Sequence, residues 1–183
     1  MDVDPHDGLS ISNSHFADIG NLRLRYHTPR DVNKDSMAPV IVYFRGGGWV
    51  IADLDTYDAS ASALARKAHA IVVSVDYPMA PGHKFPAAHD EAIEAYGYVV
   101  KNAMGCGGDP ARIAIVGESA GGHLAIATAI AARDKQMPPP RSVISVYPVA
   151  TTSLDTPLKK DEAAKAVEHA DDGMVLRQGA KQR

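Results

Sequence analysis

A serine between glycines is the residue of this sequence with the clearest chemistry. The segment Gly117-Glu118-Ser119-Ala120-Gly121-Gly122 contains the pattern G-x-S-x-G, between a predicted strand over 112–116 and a predicted helix over 121–133. This context is typical of the nucleophile elbow, a sharp strand-to-helix turn that leaves no room for side chains two residues before and after the serine. We therefore predict that Ser119 is a nucleophile. The alternative is that this short glycine-serine pattern occurs by chance in a loop.

A glycine triplet is the second chemical feature. Gly46-Gly47-Gly48 closely follows a continuous apolar run over 40–44, which is typical of a strand buried on both faces. Acyl transfer creates an oxyanion, which needs preorganised backbone N–H donors. The residue after the nucleophile, Ala120, would supply one donor, and the glycine loop would supply the others. The alternative interpretation is a tight turn with a purely structural role.

The elements that must position these residues follow from the alternation of two sequence patterns. From about residue 40 onward, β-branched segments alternate with alanine-rich segments of helical period, which is typical of βαβ units around a parallel sheet. Strands are predicted at 11–16, 22–26, 40–44, 71–75, 112–116 and 142–147, and helices at 55–69, 87–103 and 121–133. The first two strands are predicted to be antiparallel, because a turn signal joins them. The segment 77–86 holds three prolines and a glycine and is predicted to be irregular.

Composition narrows the classes of function. The chain has 183 residues, 45% hydrophobic residues and a formal charge of −3, with 19 basic residues against 22 acidic ones. This balance is typical of one globular domain and argues against a nucleic-acid partner. No run approaches the roughly 18 uncharged apolar residues of a membrane span, and the acidic N-terminal residues are unlike a signal peptide. With one cysteine, Cys106, the chain fits a reducing compartment, so we expect a cytoplasmic protein without a membrane partner.

Cofactor and metal sites are not expected from the sequence. The glycine motifs lack the spacing of phosphate-binding or dinucleotide-binding loops. Six of the eight histidines show no spacing of metal-ligand pairs and are interpreted as surface or loop residues: His6, His15, His27, His69, His83 and His89.

Four motifs in one order give the chain a specific resemblance. They are Arg45-Gly46-Gly47-Gly48-Trp49, the segment 75–88 with Asp76-Tyr77-Pro78-Met79-Ala80-Pro81-Gly82, the segment 107–113, and 117–125 around the serine. The chain resembles the hormone-sensitive-lipase-like carboxylesterases of the α/β-hydrolase superfamily. This resemblance implies a mostly parallel sheet of about six strands with helices on both faces, lacking the last strands of the full fold. It also implies hydrolysis of short acyl esters of small molecules, with Ser119 as nucleophile and the N–H groups of Gly47, Gly48 and Ala120 as oxyanion hole.

The sequence departs from the family pattern at the glycine loop and after the sixth strand. Arg45 stands where the family has histidine, and the segment 76–82 lacks an Arg and a Glu of the family, so a less firmly held loop is expected. No strand pattern follows Val149, whereas the family's catalytic Asp and His come after two further strands. His123 is interpreted as a packed or surface residue of its helix. His169 remains as a weak candidate base, with four candidate orienting carboxylates: Asp155, Asp161, Asp171 and Asp172.

Two main functions stay open at this point, beside a third, an interaction protein that acts through its tail. One is an active carboxylesterase whose base is supplied by an unrecognised group or by a partner chain, and the other is a catalytically inactive hydrolase-fold module for binding or assembly. The predicted domain is 1–183, divided into N-terminal strands and loop (1–38), core βαβ units (39–150) and an irregular or helical tail (151–183). The strand at 142–147 would be an apolar edge. We expect this edge to be covered by a helix over 161–170, to pair with a second copy of the chain, or to leave the protein poorly soluble.

Overall fold

The computed structural model describes residues 11–19 and 22–150. Contacts divide the chain into two compact units, 1–149 and 150–183, and of the second unit only Ala150 is described. The predicted tail, including His169 and the segment 161–170, lies outside the described residues.

Six strands and three α-helices form the described part of the first unit. The strands are β1 (Ile11–Ile19), β2 (Leu22–Pro29), β3 (Ala38–Phe44), β4 (Ile71–Val75), β5 (Gly108–Glu118) and β6 (Ser142–Val146), and the helices are α1 (Asp58–Ala68), α2 (Ala87–Asn102) and α3 (Ala120–Asp134). A short 3-10 helix, Ala103–Cys106, follows α2. The predicted order of strands and helices is confirmed.

The strands form one sheet in the order β1-β2-β4-β3-β5-β6. The pairs β1–β2 and β2–β4 are antiparallel, and the pairs β3–β4, β3–β5 and β5–β6 are parallel. The mostly parallel sheet of six strands is therefore confirmed. Because β3, β4, β5 and β6 are parallel, their carboxyl ends meet at one edge, where ligand sites of open α/β sheets usually lie.

Helices cover both faces of this sheet because side chains alternate along each buried strand. Val40, Val42 and Phe44 of β3 belong to one apolar cluster, which also contains buried residues of α2 and α3. Ile41 and Tyr43 point the other way and belong to a second cluster with residues of α1. The uninterrupted apolar run in β3 thus serves two cores.

Several boundaries differ from the sequence prediction. Helix α1 begins at Asp58 rather than at residue 55, because the carboxylate of Asp53 accepts hydrogen bonds from the backbone N–H (2.8 Å) and the hydroxyl (2.7 Å) of Thr56 and so holds a turn there. Strand β5 begins at Gly108 rather than at residue 112, because its first residue pairs with Ala38 of β3. Strand β2 extends to Pro29, three residues beyond the predicted strand at 22–26.

The interpretation of six histidines as surface or loop residues is wrong for His27. This residue lies in β2 with 0% of its surface exposed, beside Ser62 (Nδ1 to Oγ 3.2 Å) and Asp58 (Nδ1 to Oδ1 4.0 Å). Burial lowers its pKa; nearby Asp58 opposes this shift and Arg25 adds to it. The folded chain therefore favours the neutral imidazole.

None of the described helices is both long enough and apolar enough to cross a bilayer.

Candidate active site

Ser119 is the single residue between the end of β5 and the start of α3. Its backbone has φ 54° and ψ −119°, a conformation that non-glycine residues rarely adopt. A Cβ on Gly117 would lie 2.2 Å from the carbonyl oxygen of Gly121, and a Cβ on Gly121 would lie 2.0 Å from that of Phe44. Both flanking positions are therefore closed to any side chain. The sharp strand-to-helix turn predicted from G-x-S-x-G is present.

The backbone of Ser119 is held in this conformation by hydrogen bonds to β6 and to the loop after it. Its N–H donates to the carbonyl oxygen of Val146 (3.0 Å), and its own carbonyl oxygen accepts from the N–H groups of His123 (3.1 Å) and Val149 (3.3 Å). Strained backbone conformations persist only where the surroundings determine them fully. Here the last strand of the described sheet supplies that support.

The glycine triplet forms a tight turn at the end of β3. Gly47 has φ 119° and Gly48 has φ 59°, and a Cβ on Gly47 would lie 2.0 Å from the carbonyl oxygen of Ile51. The carbonyl oxygen of Gly47 accepts hydrogen bonds from the N–H groups of Val50 and Ile51, both at 3.0 Å. The turn therefore uses the carbonyl of Gly47 as its acceptor. This geometry agrees with a tight turn and also with a donor loop.

The turn and Ser119 are close together. A Cβ on Gly46 would lie 3.4 Å from the carbonyl oxygen of Glu118, the residue before the serine. Ala120, the residue after it, is the first residue of α3, where amides lack acceptors within the helix. The structure thus brings the glycine turn and the serine turn together at one edge of the sheet.

Arg45 braces the glycine loop although histidine is the family residue. Its side chain is 1% exposed, and its guanidinium lies 3.4 Å from the carbonyl oxygens of Gly46 and Ile51 and 3.5 Å from that of Tyr77. It also lies 4.4 Å from the centre of the Tyr77 ring and 3.7 Å from Asp76. The Tyr77 hydroxyl donates back to the carbonyl oxygen of Arg45 at 2.9 Å. The many long contacts of Arg45 therefore hold the glycine loop, which the sequence predicted to be less firmly held.

Glu118 is a residue whose surroundings the sequence did not indicate. Its carboxylate accepts hydrogen bonds of 2.5 Å from the hydroxyls of Tyr43 and Tyr147, lengths typical of a charged acceptor. Burial and then the bond to Glu118 raise the pKa of Tyr43. The carboxylate is thus engaged by two phenols beside the nucleophile. Tyr43 is 75 residues and Tyr147 29 residues from Glu118 along the chain, so no local sequence pattern could have revealed the cluster.

A pair of imidazoles lies next to the same edge. His89 in the first turn of α2 and His123 in the first turn of α3 have their Nε2 atoms 3.1 Å apart, and His123 Nδ1 lies 2.8 Å from the carbonyl oxygen of Val149. The ring of Trp49, which follows the glycine triplet, is 6.4 Å from that of His89 and 5.5 Å from that of His123. His89 is therefore a packed residue rather than a surface one. His123 packs within its helix region, as expected.

The base of a triad is missing from this part of the chain. Within residues 11–19 and 22–150, no histidine lies within hydrogen-bond distance of Ser119 Oγ. His123 is the nearest along the chain, but both of its ring nitrogens are engaged elsewhere. His169 lies outside the described residues.

The strand order and the serine turn at the carboxyl edge of the sheet define an α/β hydrolase. The family model described as alpha/beta hydrolase fold matches residues 41–181, so the chain belongs to this family. The resemblance to its carboxylesterase branch is confirmed by the relatives.

The relatives are esterases of about twice the length of this chain. Carboxylesterase NlhH of Mycobacterium tuberculosis (strain CDC 1551 / Oshkosh) is 47% identical over 142 residues, which are 78% of this chain and 44% of the relative. Ethyl acetate hydrolase of Pseudomonas putida is 33% identical over 157 residues, 85% of this chain and 49% of the relative. A hyperthermophilic esterase from the archaeon Pyrobaculum calidifontis superposes with a TM-score of 0.78 at 37% identity, covering 84% of this chain and 51% of that one. The chain thus spans about half the length of these relatives.

Proposed function

We propose that this chain carries the nucleophile and the oxyanion hole of a carboxylic-ester hydrolase acting on short acyl esters of small molecules. The observation that carries the proposal is the backbone of Ser119, held at φ 54° between β5 and α3. Flanking glycines that admit no Cβ support it, because such a strained, closed turn is typical of an exposed nucleophile. The esterase names of the relatives support the substrate class.

The chemistry is acyl transfer in two steps. Ser119 Oγ attacks the carbonyl carbon of the ester while its proton passes to a base, and the carbonyl oxygen becomes an oxyanion. The N–H groups of Gly47, Gly48 and Ala120 would donate to this oxyanion. When the intermediate collapses, the carbon–oxygen bond to the alcohol breaks and the alcohol leaves with the proton from the base. Water then hydrolyses the acyl-enzyme and restores the serine.

The base is the open part of this proposal. Without one, the hydroxyl of Ser119 stays protonated and is a poor nucleophile. His169 follows the serine in the chain order Ser…His of the family, and is the candidate within this chain. A partner chain is the other source of a base.

A second candidate function is a catalytically inactive hydrolase-fold module for binding or assembly. Two observations favour it. The described histidines near Ser119 are engaged with other groups, and β6, which pairs only with β5 among the described strands, exposes Val143 by 38%, Ile144 by 52% and Val146 by 43%. Such an apolar edge favours pairing with another strand. A homo-oligomer formed through 142–147 is the assembly that this edge would support.

The deciding experiment compares the purified chain with its Ser119→Ala variant on p-nitrophenyl acetate and butyrate. Ser60→Ala, an exposed serine of α1, is the matched control. An esterase exceeds Ser119→Ala by about 10² or more, the size of a base-assisted step, and equals Ser60→Ala. A fluorophosphonate probe followed by mass spectrometry then shows one adduct, on Ser119.

Other outcomes assign the second function or locate the base. Equal rates for the chain and Ser119→Ala, with no adduct, would reject the esterase proposal. A loss of activity in His169→Gln identifies the base. Light scattering after size-exclusion chromatography tests the assembly: a dimer that Ile144→Lys dissociates supports pairing through β6, and a monomer at all concentrations rejects it. The cytoplasmic location stays a prediction.

A further inference from the structure

The imidazoles of His89 and His123 form a pair with defined proton positions. The carbonyl oxygen of Val149 can only accept a hydrogen bond, and it lies 2.8 Å from His123 Nδ1, so this nitrogen carries the proton of the neutral ring. When both rings are neutral, the Nε2 atom of His123 presents a lone pair, and His89 Nε2, 3.1 Å away, can donate its proton to it.

We propose that His89 and His123 bind one divalent transition-metal ion, Zn²⁺, Ni²⁺ or Cu²⁺, through their Nε2 atoms. Two imidazole nitrogens at metal–nitrogen distances of about 2.0–2.1 Å lie about 2.9 Å apart at a square-planar angle and about 3.4 Å apart at a tetrahedral one. The observed separation of 3.1 Å falls between these values. The ion would replace the proton between the rings and would lie to one side of the line joining the two nitrogens, so each ring would tilt toward it.

The surroundings of His123 are those of a metal ligand. A metal-binding histidine usually donates its second ring N–H to a carboxylate or to a backbone carbonyl, which fixes the ring and its tautomer. The carbonyl of Val149 provides this contact. His123 is therefore the stronger of the two ligands.

The surroundings of His89 orient its ring by packing. The ring stacks on Trp49 with an interplanar angle of 22° and meets the edge of Phe85 at 5.1 Å. Its Nδ1 atom is buried without a hydrogen-bond partner among the described groups. When the ion binds, the proton of His89 moves through solvent from Nε2 to Nδ1, so no net proton is released. Since Nδ1 finds no acceptor there, His89 is the weaker ligand.

The described residues contain no group of three or more potential metal ligands. Water would complete the coordination of the ion, and we expect weaker binding than at a three-ligand or four-ligand zinc site.

The sole tryptophan of the chain reports directly on this site. Trp49 is the only tryptophan in the sequence, and its ring lies next to both imidazoles. We expect Cu²⁺ or Ni²⁺ chloride to quench Trp49 emission of the full chain in a saturable manner with one ion per chain. Zn²⁺ should compete for the same site and should raise the melting temperature.

Variants of the two ligands and of an exposed histidine complete the test. His89→Gln and His123→Gln should each weaken binding roughly tenfold or more, since even the loss of an outer contact of a ligand has an effect of this size. His83→Gln is the matched control, because His83 is exposed on the loop before α2, and it should leave binding unchanged. Unsaturable quenching, or affinities that neither ligand variant changes, would overturn the proposal.

A measurement on the unmodified chain covers the case in which a variant does not fold. The electron paramagnetic resonance spectrum of one equivalent of Cu²⁺ should show hyperfine coupling to two imidazole nitrogens. A spectrum without imidazole coupling would reject the site independently of any substitution.

Discussion

Replacing Gly121 by alanine tests how tightly the start of α3 packs against the end of β3. The new Cβ would lie 2.0 Å from the carbonyl oxygen of Phe44 and 2.4 Å from that of Arg45. Real Cβ contacts are almost never below 3.0 Å, so the helix and the strand must separate by about 1 Å. Both neighbours are backbone atoms, one in the last residue of β3 and one in the residue after it, and cannot rotate away.

The magnitude follows from two opposing effects. Overpacking of a well-filled interior costs about 1–3 kcal/mol and occasionally more, whereas alanine gains about 1 kcal/mol over glycine within a helix. Because two backbone carbonyls are in the way, we expect overpacking to exceed its usual range, and the free energy of unfolding to fall by about 2–4 kcal/mol.

Two further glycines provide a graded control. A Cβ on Gly122 would lie 3.0 Å from Ser145 Oγ, and a Cβ on Gly105 would have no atom within 4 Å. Gly105→Ala should stabilise the chain by about 0.4–1 kcal/mol, because it restricts the unfolded state. Gly122→Ala should fall between the other two variants.

Urea denaturation, followed by the emission of Trp49 and by far-UV circular dichroism, measures this order. If the free energies of unfolding of Gly121→Ala and Gly105→Ala differ by less than about 1 kcal/mol, the close packing of β3 against α3 is refuted. If Gly121→Ala does not fold at all, the order of Gly122→Ala and Gly105→Ala still tests the reasoning.

Three other predictions test single contacts. Burial lowers the pKa of His27, so below about pH 6.5 the unfolded chain binds a proton that the folded chain does not. The free energy of unfolding should therefore fall as the pH decreases below about 6.5. His27→Gln should flatten this slope in urea melts between pH 7.5 and 5, and an unchanged slope would contradict the argument. Arg45→Met keeps most of the buried volume but leaves the carbonyls of Gly46, Ile51 and Tyr77 without this donor, so it should cost about 1–3 kcal/mol. Arg45→Ala also leaves a cavity and should cost about 2 kcal/mol more. Equal losses in denaturant melts would contradict the argument. Tyr43→Phe, which loses a bond to the Glu118 carboxylate, should cost about 2 kcal/mol. Tyr96→Phe, which loses a bond to a backbone carbonyl, should cost about 1 kcal/mol. The reverse order in denaturant melts would contradict the stronger bond at Glu118.

Local patterns explain why so much of the fold could be predicted. An apolar run of strand length, such as 40–44, is buried in any sheet that places helices on both faces. Its assignment as a buried strand therefore follows from composition alone. The turn at Ser119 is equally local, because its glycines lie two residues from the serine. Boundaries were less accurate, since they depend on particular hydrogen bonds such as those from Thr56 to Asp53, which delay the start of α1.

Contacts between distant residues could not be predicted from these patterns. His89 and His123 meet because α2 and α3 lie on the same face of the sheet, and no periodicity relates two residues 34 positions apart. The same holds for the bond from Tyr43 to Glu118 across 75 residues. The difference between Arg45 and the family's histidine predicted a loosely held glycine loop. The contacts of Arg45 with Tyr77, however, depend on the neighbouring strand β4 and the loop after it.

The sequence by itself determined the family, the order of strands and helices, and the serine turn, because these depend on residues close together along the chain. Only the tertiary structure decided which carbonyls surround Arg45, which phenols bind Glu118, and that His89 faces His123 at 3.1 Å. The physical reason is that crossovers within the sheet set these distances. A side chain's partners then come from whichever elements pack beside it, and the chain's local preferences leave that choice open.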